Sequence, residues 1–219
     1  MDALADWVIP FFSIWVLPRS TIRRVVDTEP DGPVIAIAWT LGALIALTFH
    51  VLVNAAVLPF EAPDWIKQMG PAAMGMTIFS SGIAAIGLVY LLGFIYNWAG
   101  RLLGGIADVR DVRSAIAWGW VPLIILSLVV MTATVFAPTA SSWDRAPETL
   151  LDRISAWNVA EVAIAIWSVV VSIQTLAEVH RFSAARALGA KATGVAILAF
   201  FGLGMFIVMT LVSLVVSLI

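Results

Sequence analysis

Two carboxylates in otherwise apolar runs, Glu161 and Glu178, are the side chains best placed to do chemistry. They lie 17 residues apart, which is about 25 Å along a helix that rises 1.5 Å per residue. That separation puts them near opposite faces of a bilayer, so they cannot act as one acid–base pair. Carboxylates inside a membrane are costly and often functional. Glu161 could reach the outer surface, pair with Lys67 or Arg153, or line a solute gate.

Glu178 lies beside His180 and Arg181, where its apolar run ends. A structural ion pair is expected there, and arginine is the expected partner because a guanidinium offers bidentate donors and stays charged. Arg110 and Arg113 are expected on the same membrane face and are candidates for that role. The hypothesis is that Glu178 is a structural hub.

His50 and Asn54 are spaced to share one face of a helix, on a stripe that continues through Gly42 and Ala46. Small residues allow close helix approach, and the polar pair can bond across the interface. The alternative, a proton relay, would need a carboxylate at the same depth, for which Glu161 is the candidate.

Composition removes most catalytic and cofactor chemistry. The chain has no cysteine, which excludes disulfides, thiolate metal sites and covalently attached haem. Its two histidines fall at different depths, so they cannot hold one haem, and histidine-based metal sites fail on ligand number. The net charge of −2 does not suit nucleic acid. No catalytic, cofactor or metal residue is therefore predicted.

The elements that carry these residues are transmembrane helices. The chain is 62% hydrophobic and only 12% charged, with a mean hydropathy of +1.02. A bilayer core about 30 Å thick needs about 20 apolar residues in a helix. The sequence predicts an all-α fold with five spans at roughly Val34–Leu58, Ala72–Trp98, Ala115–Ala137, Val159–Val179 and Val195–Leu218.

The basic residues are distributed unequally between the two sides of these spans. Nine fall on one side, namely Arg19, Arg23, Arg24, Arg101, Arg110, Arg113, Arg181, Arg186 and Lys191. Three fall on the other, namely Lys67, Arg145 and Arg153. The richer side is expected to be cytoplasmic, which places the N-terminus inside and the C-terminus outside.

Residues 1–32 are expected to form an amphipathic cytoplasmic segment, followed by a five-span domain over residues 33–219. Asp2 and Asp6 argue against a secretory signal. The apolar run Trp7–Leu17 is too short to span and precedes arginines, which suits a segment lying in the headgroup layer. It could be a membrane-sensing or partner-docking element, or a plain anchor.

Two stretches on the predicted cytoplasmic side resemble the Yip family, named for Ypt/Rab-interacting proteins, and in particular its bacterial branch. They are WAGRLLGGIADVRDVRSAIAWGWVP, from Trp98 to Pro122, and WSVVVSIQTLAEVHRFSAARA, from Trp167 to Ala187. A shorter match is LPRSTIRRV before the first span. The chain departs from many relatives at Gly104-Gly105-Ile106-Ala107, where a third glycine is common. The stretch from Gly100 to Gly104 has dimer-motif spacing, but a helix C-cap turn is the preferred interpretation.

The resemblance implies an integral membrane protein, located by its bacterial branch in the inner membrane; eukaryotic relatives are linked to Rab GTPases and vesicle traffic. The leading hypothesis is a non-enzymatic protein that organises the bilayer or binds membrane partners. An accessory subunit of a larger energy-transducing complex and a small-solute transporter are the alternatives. The expected partners are the lipid bilayer and other membrane subunits, with oligomers forming through small-residue helix faces.

Overall fold

A computed structural model describes residues 2–28, 31, 33–54, 63–136 and 156–217. Within these ranges the chain forms helices and no strand. The helices are α1 (Asp2–Ser13), α2 (Pro18–Thr28), α3 (Val34–Asn54), α4 (Asp64–Lys67), α5 (Pro71–Leu102), α6 (Val109–Gly119), α7 (Val121–Phe136), α8 (Ala156–Val179) and α9 (Ala184–Ser217).

Five helical stretches are long and apolar enough to cross a membrane, which confirms the predicted fold class. They are Val34–Asn54, Pro71–Leu102, Val109–Val135, Val159–Val179 and Ala184–Met205. Each overlaps one predicted span. A backbone in lipid must satisfy its hydrogen bonds within its own helix, so a long apolar run predicts a helix.

Several predicted span ends are wrong. The sequence predicts that the fifth span begins at Val195, whereas α9 begins at Ala184 and carries Lys191 inside the helix. The third begins at Val109 rather than Ala115. Charged residues mark where a helix leaves hydrocarbon, but they do not stop the helix. The predicted end of the first span falls within residues 55–62, outside the described residues.

The third span is built from two helices that meet at Trp120. The Trp120 N–H still reaches the Ile116 carbonyl at 3.1 Å, but α7 then restarts at Val121. Pro122 explains the break, because it has no N–H to donate to the preceding turn and its ring crowds that turn.

α3 and α5 approach each other closely at two glycines. A Cβ at Gly42 would overlap the Ser81 carbonyl and lie 2.6 Å from the Ala85 Cβ, and the Trp39 ring covers Gly82. The expectation that Gly42 permits close helix approach is confirmed.

One end of the bundle, which we call the basic end, contains α2, residues 103–108 and residues 180–183. α2 packs on α6 and α8, α5 packs on α6 and α9, and the loops after α5 and α8 touch through Ile106 and His180. The two stretches that carry the family resemblance therefore meet in space.

Gly42→Ala should destabilise the protein, because the new Cβ meets a backbone carbonyl that cannot move aside. Overpacking of this kind costs about 1–3 kcal/mol, more than the roughly 1 kcal/mol that alanine gains in helix propensity. Gly87→Ala is the matched control, since nothing lies within 4 Å of its Cβ. Thermal unfolding in detergent should show a lower midpoint for Gly42→Ala alone; equal midpoints would contradict the tight α3–α5 contact.

Candidate functional site

A glycine turn closes the C-terminal end of α5 at the basic end. Gly104 has a left-handed φ of +83°. The Gly105 N–H donates to the Gly100 carbonyl at 2.8 Å, and the Gly104 N–H donates to the Arg101 carbonyl at 3.0 Å. This is the Schellman arrangement, which satisfies carbonyls that have no partner within the helix. The interpretation of this stretch as a helix C-cap turn is confirmed.

α8 ends in the same arrangement, with an arginine in the left-handed position. Arg181 has φ of +55°, and the Phe182 N–H donates to the Ala177 carbonyl at 3.0 Å. A side chain in this conformation costs about 1 kcal/mol, which glycine avoids. Arg181, a predicted site residue, thus closes the helix through its backbone, while its side chain is exposed.

The two turns meet around the imidazole of His180. The Ile106 N–H donates to the His180 carbonyl at 3.4 Å. The imidazole is 1% exposed, and a Cβ on either Gly100 or Gly105 would overlap it. It also stacks on Phe182, with ring centroids 4.9 Å apart. The glycines of one turn therefore make the space that the histidine of the other occupies.

The His180 ring is suited to its neutral form. Neither ring nitrogen has a hydrogen-bond partner among the described residues, because the nearby Tyr96 carbonyl falls short of hydrogen-bond geometry. Burial lowers the pKa of His180, the Tyr96 carbonyl raises it by less, and the charge of Arg101 lowers it slightly further. A proton on this ring would therefore be unfavourable.

Glu178 lies in the last turn of α8 and forms an ion pair with Arg23 of α2. The carboxylate side chain is 12% exposed and the arginine side chain 64%. The sequence predicts an arginine here, and the structure supplies one from α2.

The expectation that Arg110 or Arg113 provides this partner is wrong. Both face Asp31, in the connection between α2 and α3, at 3.6 Å and 3.4 Å. The Arg113 guanidinium also lies 4.5 Å from the centroid of the Tyr90 ring, and its stem covers Gly93. Arg113 is thus held against α5 and cannot also pair with Glu178 at the end of α8.

Three polar contacts attach the N-terminal segment to α8. We call them the α2–α8 ladder: the Trp15 carbonyl with Trp167 Nε1 at 3.1 Å, Arg19 Nε with Gln174 Oε1 at 2.7 Å, and Arg23 with Glu178. Residue numbers increase together on both sides, so α2 runs parallel to α8. The ladder also explains Trp167, which lies in the middle of the predicted span.

An apolar stripe lies beneath the ladder. Ile14, Ile22 and Val25 are buried against Trp118 and Val171. Sequence reasoning did not place the residues of α2 in the site. The available signal was the spacing of Arg19 and Arg23 by one helical turn within LPRSTIRRV.

The candidate residues near the other end of the bundle do not join this site. Asn54 Nδ2 lies 3.0 Å from His50 Nε2 and donates to the His50 carbonyl at 2.8 Å. Among the described residues, the pair is thus bonded along α3 and not across a helix interface. Glu161 is half-buried in the first part of α8, and its candidate partner Arg153 lies outside the described residues. Among the described residues no group of three or more histidines and carboxylates could hold a metal ion.

Comparison with protein-family models gives one match, to the Yip1 domain, over residues 12–206. The matched range contains α2, all five candidate spans and both turns around His180. No curated protein and no solved structure matches the chain.

Glu178→Gln and Arg23→Gln should each lower stability by up to about 1 kcal/mol, because the pair is largely exposed on the arginine side. The two changes together should cost less than their sum, since either one alone already breaks the pair. Arg24→Gln is the matched control and should add independently to Glu178→Gln. Unfolding titrations of the five variants give the comparison; additive losses for Arg23 and Glu178 would contradict the pair.

Stability should fall as the pH drops below about 6.5, the ordinary pKa of histidine. Because burial lowers the pKa of His180 in the folded protein, the unfolded chain takes up a proton that the folded chain resists. The loss should begin near pH 6.5 and level off below the folded-state pKa. His180→Leu should reduce this decline in thermal midpoint, whereas His50→Gln, which removes the only other histidine, should retain it. The reverse pattern would show that His180 is not responsible.

Proposed function

The chain belongs to the Yip1 domain family of membrane proteins, and we propose that it acts without catalysis by organising the bilayer through its N-terminal segment. In this proposal α1 and the residues that join it to α2 insert into the cytoplasmic leaflet, while α2 and α8 hold them in place. The observation that carries the proposal is the α2–α8 ladder, which fixes an apolar segment beside a membrane-spanning helix.

The segment presents large apolar side chains away from the bundle. Phe12 is 68% exposed, Val16 77% and Leu17 59%. In water such a cluster would be unfavourable, whereas at a membrane surface it can enter the acyl boundary.

The depth of the segment can be estimated from Lys191. Its ammonium group donates to Ser172 Oγ at 2.8 Å, so Lys191 and Ser172 lie at one level of the bundle. Trp167 lies five residues before Ser172, which is about 7 Å along α8. Trp15 bonds to Trp167 and would therefore lie about that far from the level of Lys191, towards the middle of the candidate span Val159–Val179.

The test is reconstitution of the full chain in phosphatidylcholine vesicles, with vesicle diameter measured by electron cryomicroscopy. The wild type should shift the distribution towards smaller vesicles, because insertion into one leaflet expands that leaflet. Replacing Phe12, Val16 and Leu17 by serine should remove most of the shift. The conservative triple variant Phe12→Leu, Val16→Ile, Leu17→Ile is the matched control and should retain it.

Equal diameters for the wild type and the serine variant would contradict bilayer organisation. If, in addition, a stoichiometric partner copurifies in mild detergent with the wild type but not with the serine variant, the segment docks a partner instead, as expected of an accessory subunit.

A further inference from the structure

A groove of about 520 Å³ lies between α2 and the C-terminal end of α8. Arg19, Arg23 and Arg24 line it, together with the carboxylates of Asp27 and Glu178. We propose that this groove binds the phosphate group of an anionic phospholipid. This inference rests on the proposed function, because it requires the N-terminal segment to lie at the membrane surface.

The face of α2 that lines the groove is separate from the face that docks it. Thr21, Ile22 and Val25 are buried, whereas the three arginines are exposed. Arg19 and Arg23 are one helical turn apart, and Arg24 is adjacent to Arg23, so their side chains emerge on one side of the helix. Docking of α2 on the bundle therefore leaves the guanidinium groups accessible.

Two of the arginines are held in position but keep free donors. Arg19 uses its Nε on Gln174, and Arg23 uses an Nη on Glu178. A guanidinium has five N–H donors in a fixed plane, so each retains donors for a ligand. Because α8 already restricts these side chains, a ligand loses less affinity in ordering them. Arg24 has no ion pair or side-chain hydrogen bond with the described residues.

The charge of the groove matches a phosphodiester. Three guanidinium groups and two carboxylates leave one net positive charge, which a phosphodiester with a single negative charge balances. The Ser20 and Thr28 hydroxyl groups do not compete with the arginines as donors to a ligand. Ser20 donates to the Leu17 carbonyl at 3.2 Å and Thr28 to the Arg24 carbonyl at 2.9 Å. Arginine is also the side chain best shaped for bidentate phosphate contacts.

The apolar residues beside the groove indicate that the phosphate belongs to a lipid. Val16 and Leu17 are 77% and 59% exposed and come directly before α2. A phospholipid can place its phosphate among the arginines and its acyl chains against these two residues. A soluble phosphate could use the arginines but would leave the apolar residues uncovered.

The experiment measures the thermal unfolding midpoint of the full chain in phosphatidylcholine vesicles as phosphatidylglycerol is added. The wild type should be stabilised, with a saturable dependence on the phosphatidylglycerol fraction. Arg24→Gln should weaken the apparent affinity about tenfold, because it removes charge-assisted hydrogen bonds. Arg186→Gln is the matched control, since Arg186 is an exposed arginine of α9 outside the groove. A second arm adds inorganic phosphate to vesicles of phosphatidylcholine alone and should give no stabilisation.

Equal weakening by Arg24→Gln and Arg186→Gln would overturn the site, because it would show general surface electrostatics. Stabilisation by inorganic phosphate alone would overturn the lipid assignment. Circular dichroism in neutral vesicles checks that both variants are folded. Vesicle diameter in neutral lipid reports on the proposed function alone. If the wild type does not change vesicle diameter but is stabilised by phosphatidylglycerol in a saturable, Arg24-dependent way, the proposed function is overturned and the lipid site stands.

Discussion

The contact between the C-terminal turns of α5 and α8 is the constraint on which the basic end of the bundle depends. A helix end leaves four carbonyls without intrahelical partners, and such groups are expensive near lipid. Here Gly104 and Arg181 take left-handed conformations, which let N–H groups of the two turns donate to some of these carbonyls. The Ile106 N–H then joins the two turns. The same geometry seats His180 between glycines and places Glu178, in the preceding turn, beside α2. Loss of the space at Gly100 would therefore disturb the burial of the histidine as well as the position of the carboxylate.

Sequence reasoning succeeded where a single physical requirement decided the outcome. Long apolar runs must be helical in lipid, so the number of spans followed from hydropathy. The Gly104 turn followed from the conformational freedom of glycine next to a helix end. The ends of the spans did not follow, because Lys191 lies inside α9, where its ammonium group donates to Ser172 Oγ of α8.

The pairing of the arginines could not be deduced from residue type, because the sequence predicts nine basic residues on the same side of the spans. Packing decides which carboxylate each arginine contacts. Arg113 lies over Gly93 and beside Tyr90, and Asp31 neutralises it there. Arg23 reaches Glu178 only because α2 runs parallel to α8. Neither the direction of α2 nor the position of Asp31 is encoded in a local pattern.

Two kinds of contact attach the N-terminal segment to the bundle. One supplies most of the stabilisation, and the other fixes the position of α2 along α8. Burial of an aliphatic side chain contributes about 1.5–3 kcal/mol, whereas an exposed polar contact contributes at most about 1 kcal/mol. The buried stripe therefore supplies most of the attachment, but aliphatic side chains tolerate a shift along a neighbouring helix. The ladder does not: moving α2 by one turn would set Arg23 against Gln174 and bring Asp27 against Glu178. Two carboxylates would then face each other in a partly buried position, so electrostatic repulsion disfavours a shift of α2 in that direction.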